Sequence, residues 1–472
     1  MYAVVLSLAL LVFVAVTVAY ARSGCASVFH PLTLYLVFHG FLFVFRPIVA
    51  RIEDFRLVYQ VYAFTPSEAD KTRAILVATL GLVSFAIFCL RAGGAPMRFT
   101  VDRLARAEKR ALIAPFVAAA AICFPIGFYS LIKLWNAAGS DMAYADMVRD
   151  KATHILINTQ NNGYLTEAQL MLAPCGAILA WLLRFRLLAV LPLATFVVLR
   201  AGTGGRGPFV AAAAMFGLLW LYERRQKWPS PRIILGLVVV ILAFNAVGAD
   251  RGRAIREWAG ADRGSARQYD VPEDVRPLEG MDFANLEYLE YVVTMIPERT
   301  RSYSWFTDEL QLFTEPVPRA LWPGKPAGPP IQLFNLFDYG NPIGMTISLP
   351  GAGWAGAGWA GVVLWCGLWG QVLGWIYRRY AQGPQTTFQT IAYMVLLASM
   401  IVGYRDGGLV TVARQNLFFM APVLLWLVMA RWWGIPSAAL LRRGLAAGAA
   451  PPAPDAALPP AVARRRATLA KP

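Results

Sequence analysis

Two arginines flank a glycine-rich turn at Arg200-Ala-Gly-Thr-Gly-Gly-Arg206-Gly-Pro208, between an apolar stretch ending near Leu199 and another starting near Phe209. Guanidinium groups at the edge of a membrane are expensive unless a partner or a water-filled cavity receives them. The glycines permit close backbone approach, and Pro208 suits the first turn of a following helix. Free N–H groups at that helix start, beside two guanidinium forks, form a ready anion site. Snorkelling of both arginines to the interface is the simpler alternative, but it leaves the glycines unexplained. A second segment, Tyr404-Arg405-Asp406-Gly407-Gly408, puts another arginine at a turn, and Arg414 lies inside the apolar run that follows. A surface pair with Asp406, worth little, competes evenly with a functional role for Arg405. The depth of Arg414 favours function. Arg46, just before Pro47, reads equally well as a boundary anchor.

Candidate proton acceptors are fewer. His154 is the only histidine outside the first hairpin, which holds His30 and His39. A neutral imidazole beside a cleft can act as a general base. Asp308, Glu309 and Glu315 are rivals, next to a proline-rich segment. No spaced cluster of His, Cys and carboxylates, no Walker-type loop and no dinucleotide-binding turn occurs, so neither a metal nor another cofactor is expected. Cys25, Cys89, Cys123, Cys175 and Cys366 lie within or beside apolar runs and read as buried thiols rather than as a disulfide framework.

The elements that must hold these groups follow from composition. The 472 residues are 57% hydrophobic and 15% charged, against roughly 25% charged in a typical soluble domain. A soluble fold of this length cannot hide so many apolar residues. The expected class is an all-α polytopic membrane protein, with spans near 2–21, 31–49, 74–91, 111–132, 165–183, 187–204, 207–222, 232–249, 354–377, 387–404 and 409–430. The span 187–204 is short, with only thirteen residues between Arg186 and Arg200. It crosses only if Arg200 sits inside the boundary and the neutral residues after it complete the passage.

The net charge of +16 does not indicate nucleic acid. Half of the 44 lysines and arginines fall in the connections 22–30, 91–110, 184–186, 223–232, 378–386 and the C-terminal tail. By the positive-inside rule these are cytoplasmic, which puts the N-terminus outside and the C-terminus inside. Met1-Tyr2-Ala3 lacks a positive n-region, so an uncleaved first span is expected. The organisation is then a transmembrane bundle at 1–249, a large outer loop at 250–353, transmembrane hairpins at 354–433, and a disordered basic tail at 444–472 that meets anionic lipid. Within the loop, 283–296 has apolar residues at helical spacing and is expected along the membrane surface. The prolines of 315–330 predict an ordered, extended segment. The tandem repeat Gly351-Ala-Gly-Trp-Ala355 and Gly356-Ala-Gly-Trp-Ala360 predicts close approach of a neighbouring element.

Taken together, Thr203-Gly-Gly-Arg206-Gly-Pro208, the late outer loop with Val317-Pro-Arg319-Ala-Leu-Trp-Pro323-Gly-Lys325-Pro326, and Gly-Trp-Ala-Gly leading into a span resemble the O-antigen polymerase family, the Wzy-type oligosaccharide repeat-unit polymerases. The resemblance is scattered over about 200–430. It implies a GT-C-like, metal-independent glycosyltransferase of the bacterial inner membrane. Such an enzyme transfers a growing glycan from undecaprenyl pyrophosphate onto a second lipid-linked repeat unit at the periplasmic face. The implied partners are lipid-linked oligosaccharide, membrane lipids, and a chain-length regulator and flippase of the same pathway. Under that reading Arg206 and Arg405 bind pyrophosphate and Arg200 and Arg414 support them. His154 or Glu315 takes the acceptor proton, Arg319 and Lys325 order the loop or contact glycan, and Trp322 stacks on a sugar. The related O-antigen ligases use a loop histidine, which 250–350 lacks. A lipid-linked oligosaccharide flippase is the other alternative.

Overall fold

A computed structural model describes residues 1–99, 102–137, 147–149, 156–158, 167–202, 206–235, 276, 278–318, 321–326, 328–342 and 344–435. For 102–108, 137, 147–149, 156–158 and 206 it describes the backbone alone. The helices are α1 (Tyr2–Arg22), α2 (Pro31–Ile52, with a π-turn at Gly40–Phe45), α3 (Leu57–Tyr62), α4 (Glu68–Gly93) and α5 (Asp102–Ala137). There follow α6 (Leu172–Leu182), α7 (Leu187–Gly202), α8 (Arg206–Glu223), α9 (Asn285–Met295), α10 (Gln311–Thr314), α11 (Ser348–Gln382), α12 (Thr387–Asp406) and α13 (Leu409–Trp432). A two-stranded antiparallel ribbon pairs Met147–Arg149 with Leu156–Asn158.

Local sequence explains several of these boundaries. Ser67 and Asp70 form a capping box at the start of α4, and Thr386 and Gln389 do the same for α12. Among the described residues seven helices are long and apolar enough to cross a membrane: α1, α2, α4, α5, α11, α12 and α13. Ala168–Leu182, Leu187–Gly202 and Gly207–Glu223 are apolar but shorter. The expected span 232–249 falls mostly outside the described residues, and the tail 444–472 wholly so.

The connections gather at two ends. At one, the Val28 N–H donates to the Lys227 carbonyl at 2.9 Å, and Tyr222 donates to Gln385, whose amide reaches the Arg98 carbonyl. These are the basic connections picked out by charge. At the other, the Met1 amine lies 3.8 Å from Glu68, Arg73 pairs with Glu298 at 2.7 Å, and residues between Met281 and Phe306 pack into the core of the helix bundle. We call this the loop end.

The segments read from sequence share two cores. One joins α1, α2, α4, α9 and the first part of α11; the other joins α5 to α8, the last part of α11, α12 and α13. The tightest contact is between α4 and α11. A Cβ at Gly370 or Gly374 would stand 2.5 Å from the carbonyl oxygen of Phe85 or Cys89, so these glycines let the two backbones touch. All five cysteines are free thiols and buried.

Two expectations need correction. The segment 283–296 does contain a helix, but every residue of α9 is buried. Its apolar side packs against α4 and α11, while Arg46 and Tyr59 cover Glu287 and Glu290. No apolar face is left for lipid. The tandem repeat, in turn, straddles a break rather than forming one smooth helix face: Ala357 and Gly358 leave helical geometry, Gly358 with φ +60°. The freed carbonyls of Ala355 and Gly356 accept the N–H groups of Ser304 and Trp305 at 2.7 and 3.0 Å. The close approach is thus made by the loop, and by residues 361–362 against Gly353.

Candidate functional site

The turn between α12 and α13 is fixed by packing on every side. Gly407 ends α12 with φ +77°, and a Cβ there would collide with the Ser348 carbonyl oxygen. Its own carbonyl accepts from the Trp365 indole at 2.9 Å. Phe306 stacks on Trp365 at 5.2 Å and packs against Gly356 of the repeat. That contact sets the short 3-10 turn Thr307–Leu310 under the start of α13, where Glu309 accepts the Leu409 N–H at 2.8 Å. Glu309 therefore occupies the anion position that a helix N-terminus offers. Burial pushes its carboxyl up to about 7; the backbone N–H groups of Leu409 and Val410 pull the other way, and Asp308 adds to the rise. Asp308 is also raised by burial, against a hydrogen bond from Ser304.

Arg405 and Arg414 lie on either side of that turn. Arg405 is 27% exposed and reaches Asp282 at 3.7 Å, so its ion-pair partner comes from the loop rather than from the adjacent Asp406. Its Nε is buried and meets no acceptor among the described residues. Asn285 of α9 holds its carbonyl oxygen at 3.3 Å. Arg414 faces Glu315 at 3.7 Å. The same carboxylate accepts from the Gln311 amide at 3.1 Å and lies 3.8 Å from Lys325. Glu315 is thus a clasp between loop and α13, flanked by two cations, and this geometry does not favour it as the base.

Lys325 also donates to the carbonyls of Glu315 and Val317 at 3.0 and 3.2 Å. Both bonds tie its ammonium back to the segment that carries it. The segment itself is turned, not extended: Leu321 and Trp322 N–H groups return to the Pro318 carbonyl, and Lys325 N–H returns to Trp322. Proline's fixed φ suits the first corner of such turns as well as extended chain. Trp322 stays 40% exposed at their edge.

The helix ends that flank the mid-chain arginine turn lie at the same end. Arg200 is half-buried on the last turn of α7, within electrostatic reach of Glu167. Gly202 packs under the Trp135 ring, which gives this glycine a packing role of its own. α8 begins at Arg206 with Pro208 in its first turn, and a Cβ at Gly207 would lie 3.4 Å from Val402, one turn before Arg405. The side chain of Arg206, and His154 and Arg319 altogether, lie outside the described residues.

Sequence reasoning underrated two features. Arg46 is fully buried, donates to both oxygens of Glu287 and to the Leu278 carbonyl, and so pins α9 to α2. Glu290, one turn further along α9, accepts a hydrogen bond from Tyr59 at 2.6 Å. The readable signal was an arginine inside an apolar run and two carboxylates three residues apart in a helical pattern. Glu309 as a helix cap had no comparable signal. Among the described residues no three His, Cys, Asp or Glu side chains are grouped as metal ligands.

The fold defines a polytopic helical membrane protein with a packed polar loop at one end. Comparison with protein-family models, curated proteins and solved structures returned no match.

Proposed function

We propose that this protein polymerises undecaprenyl-pyrophosphate-linked oligosaccharide repeat units at the periplasmic face of the bacterial inner membrane. The reading includes about eleven spans in a GT-C-like arrangement, an outer N-terminus and a cytoplasmic C-terminus. The observation that carries it is the pairing, at one turn, of a partly exposed arginine whose buried Nε has no described acceptor with a carboxyl shifted to about 7. A transferase with a lipid-pyrophosphate leaving group needs both: cations for the departing charge and a base near neutrality for the acceptor hydroxyl.

In this mechanism the acceptor hydroxyl oxygen attacks the anomeric carbon of the donor glycan. The bond from that carbon to the pyrophosphate oxygen breaks, and its electron pair leaves with the lipid pyrophosphate. Arg405 and Arg206 receive the developing charge, supported by Arg200 and Arg414. The hydroxyl proton passes to Glu309, which displaces Glu315 as the favoured base; His154 remains a rival. Arg414 would be released toward substrate from a loose contact with Glu315, and Trp322 offers an exposed face for a sugar ring. A chain-length regulator and a flippase would act beside it in the same pathway.

The test is extension of a lipid-pyrophosphate oligosaccharide by the purified full-length chain in lipid nanodiscs. A ladder of products separated by one repeat unit is expected. Transfer to a lipid A core acceptor without laddering would instead establish a ligase, and movement of the intact substrate between leaflets a flippase.

A further inference from the structure

A cavity of about 620 Å³ opens at the loop end between α1, α2, α3, α4 and α9, within the size range of small-molecule sites. None of the residues assigned above to the transfer reaction lines it. Its walls are aromatic, with Tyr2, Phe55, Tyr59 and Phe64. Its floor is polar: Glu290, 1% exposed, and Glu287, already neutralised by Arg46. The rim carries both signs, Arg51, Arg56 and Lys71 against Asp54 and Glu68. Arg51 lies over the Tyr2 ring at 5.6 Å and Lys71 over Tyr59 at 4.6 Å, so both aromatics are held in place from outside.

That combination narrows the ligand. An apolar tail would desolvate the rim charges without giving them a new partner. A multiply charged anion would face Asp54, Glu68 and the floor carboxyls. Sugar rings satisfy both surfaces, because their C–H faces stack on aromatic rings while adjacent hydroxyls pair with carboxyl, guanidinium and amide groups. Burial, then the neighbouring Glu287, pushes the Glu290 carboxyl up to about 8, so near neutrality it can donate a hydrogen bond as well as accept one.

We propose that this cavity is a second glycan-binding site, taking uncharged sugar rings with Glu290 as its polar anchor. It deepens the polymerase reading and rests on it for the source of the glycan. The two sites share one wall: Asn285 of α9 holds the Arg405 carbonyl, while Leu286, Glu287 and Glu290 of that helix line the cavity.

The test uses saturation-transfer NMR on the full-length chain in nanodiscs. The probe is the repeat-unit oligosaccharide freed from its lipid pyrophosphate by mild acid, with glycerophosphoethanolamine as the control. The wild type should give clear saturation of the oligosaccharide and little of the control. Glu290→Ala should weaken binding about tenfold, the loss of a buried hydrogen-bonding anchor. Gln60→Trp, at an exposed lining position, should occlude the mouth without disturbing the fold. Unchanged oligosaccharide binding in the Gln60 variant, or preference for the phosphodiester, overturns the proposal. Binding that is lost in both cavity variants while the wild type extends no chains sinks the polymerase reading and leaves the cavity site standing.

Discussion

Arg46 is fully buried, with both oxygens of Glu287 and a backbone carbonyl against its guanidinium, whereas Arg405 is partly exposed and meets Asp282 only at 3.7 Å. The same side chain therefore does two jobs at one end of the molecule. A buried charge with a matched partner is locked, since separating the pair leaves an uncompensated charge in a dry site. A loosely paired arginine near solvent gives up little when a new anion takes over. By that contrast Arg405 and Arg414 are held more loosely than Arg46.

Substitutions can break that contrast. Arg46→Ala strands Glu287 beneath α9 and should destabilise the protein by about 3–5 kcal/mol, read as loss of folded, monodisperse protein in detergent. If Arg46→Ala retained wild-type thermal stability, the buried pair would not be the lock described. Glu309→Gln should fold, because its amide oxygen can still accept the Leu409 N–H, yet should lower extension about a hundredfold. The sign of the pH effect follows from its role: a base works when ionised, so the wild-type rate should climb as pH rises through about 7. That limb should vanish in Glu309→Gln; its persistence would return the role to His154. Lys325→Ala sits at the small end. Its contact with Glu315 is partly solvated, so stability should fall by about 1 kcal/mol or less, and a larger loss in chemical denaturation would make the segment more than an ordering device.

The membrane class and most helix positions were legible in the sequence because apolar run length and alternating basic connections are strong, local signals. The capping boxes at Ser67 and Thr386 that fix two helix starts came only with the structure. The loop was legible only as pieces. Helical spacing located α9, but periodicity cannot distinguish a helix whose polar side meets water from one whose polar side meets Arg46 and Tyr59. Repeated glycines announced a close approach without naming the partners, which are loop residues 303–306 and, for Gly353, residues 361–362. Glu309 was one acidic residue among three until Phe306, Trp365 and Gly407 placed it under α13. Such tertiary contacts span about a hundred residues of chain, beyond the reach of any local pattern.

The central claim is that fixed guanidinium forks at this end receive a departing lipid pyrophosphate. It is tested most directly by comparing purified wild type, Arg405→Lys and Arg206→Lys in extension of a lipid-pyrophosphate oligosaccharide, with nanodisc incorporation measured alongside. An ammonium keeps the charge but loses the two-pronged contact. Both variants should incorporate normally and extend about 10²–10³-fold more slowly, the effect of removing one pre-placed donor from a developing negative charge. Wild-type ladders from both variants would contradict the account.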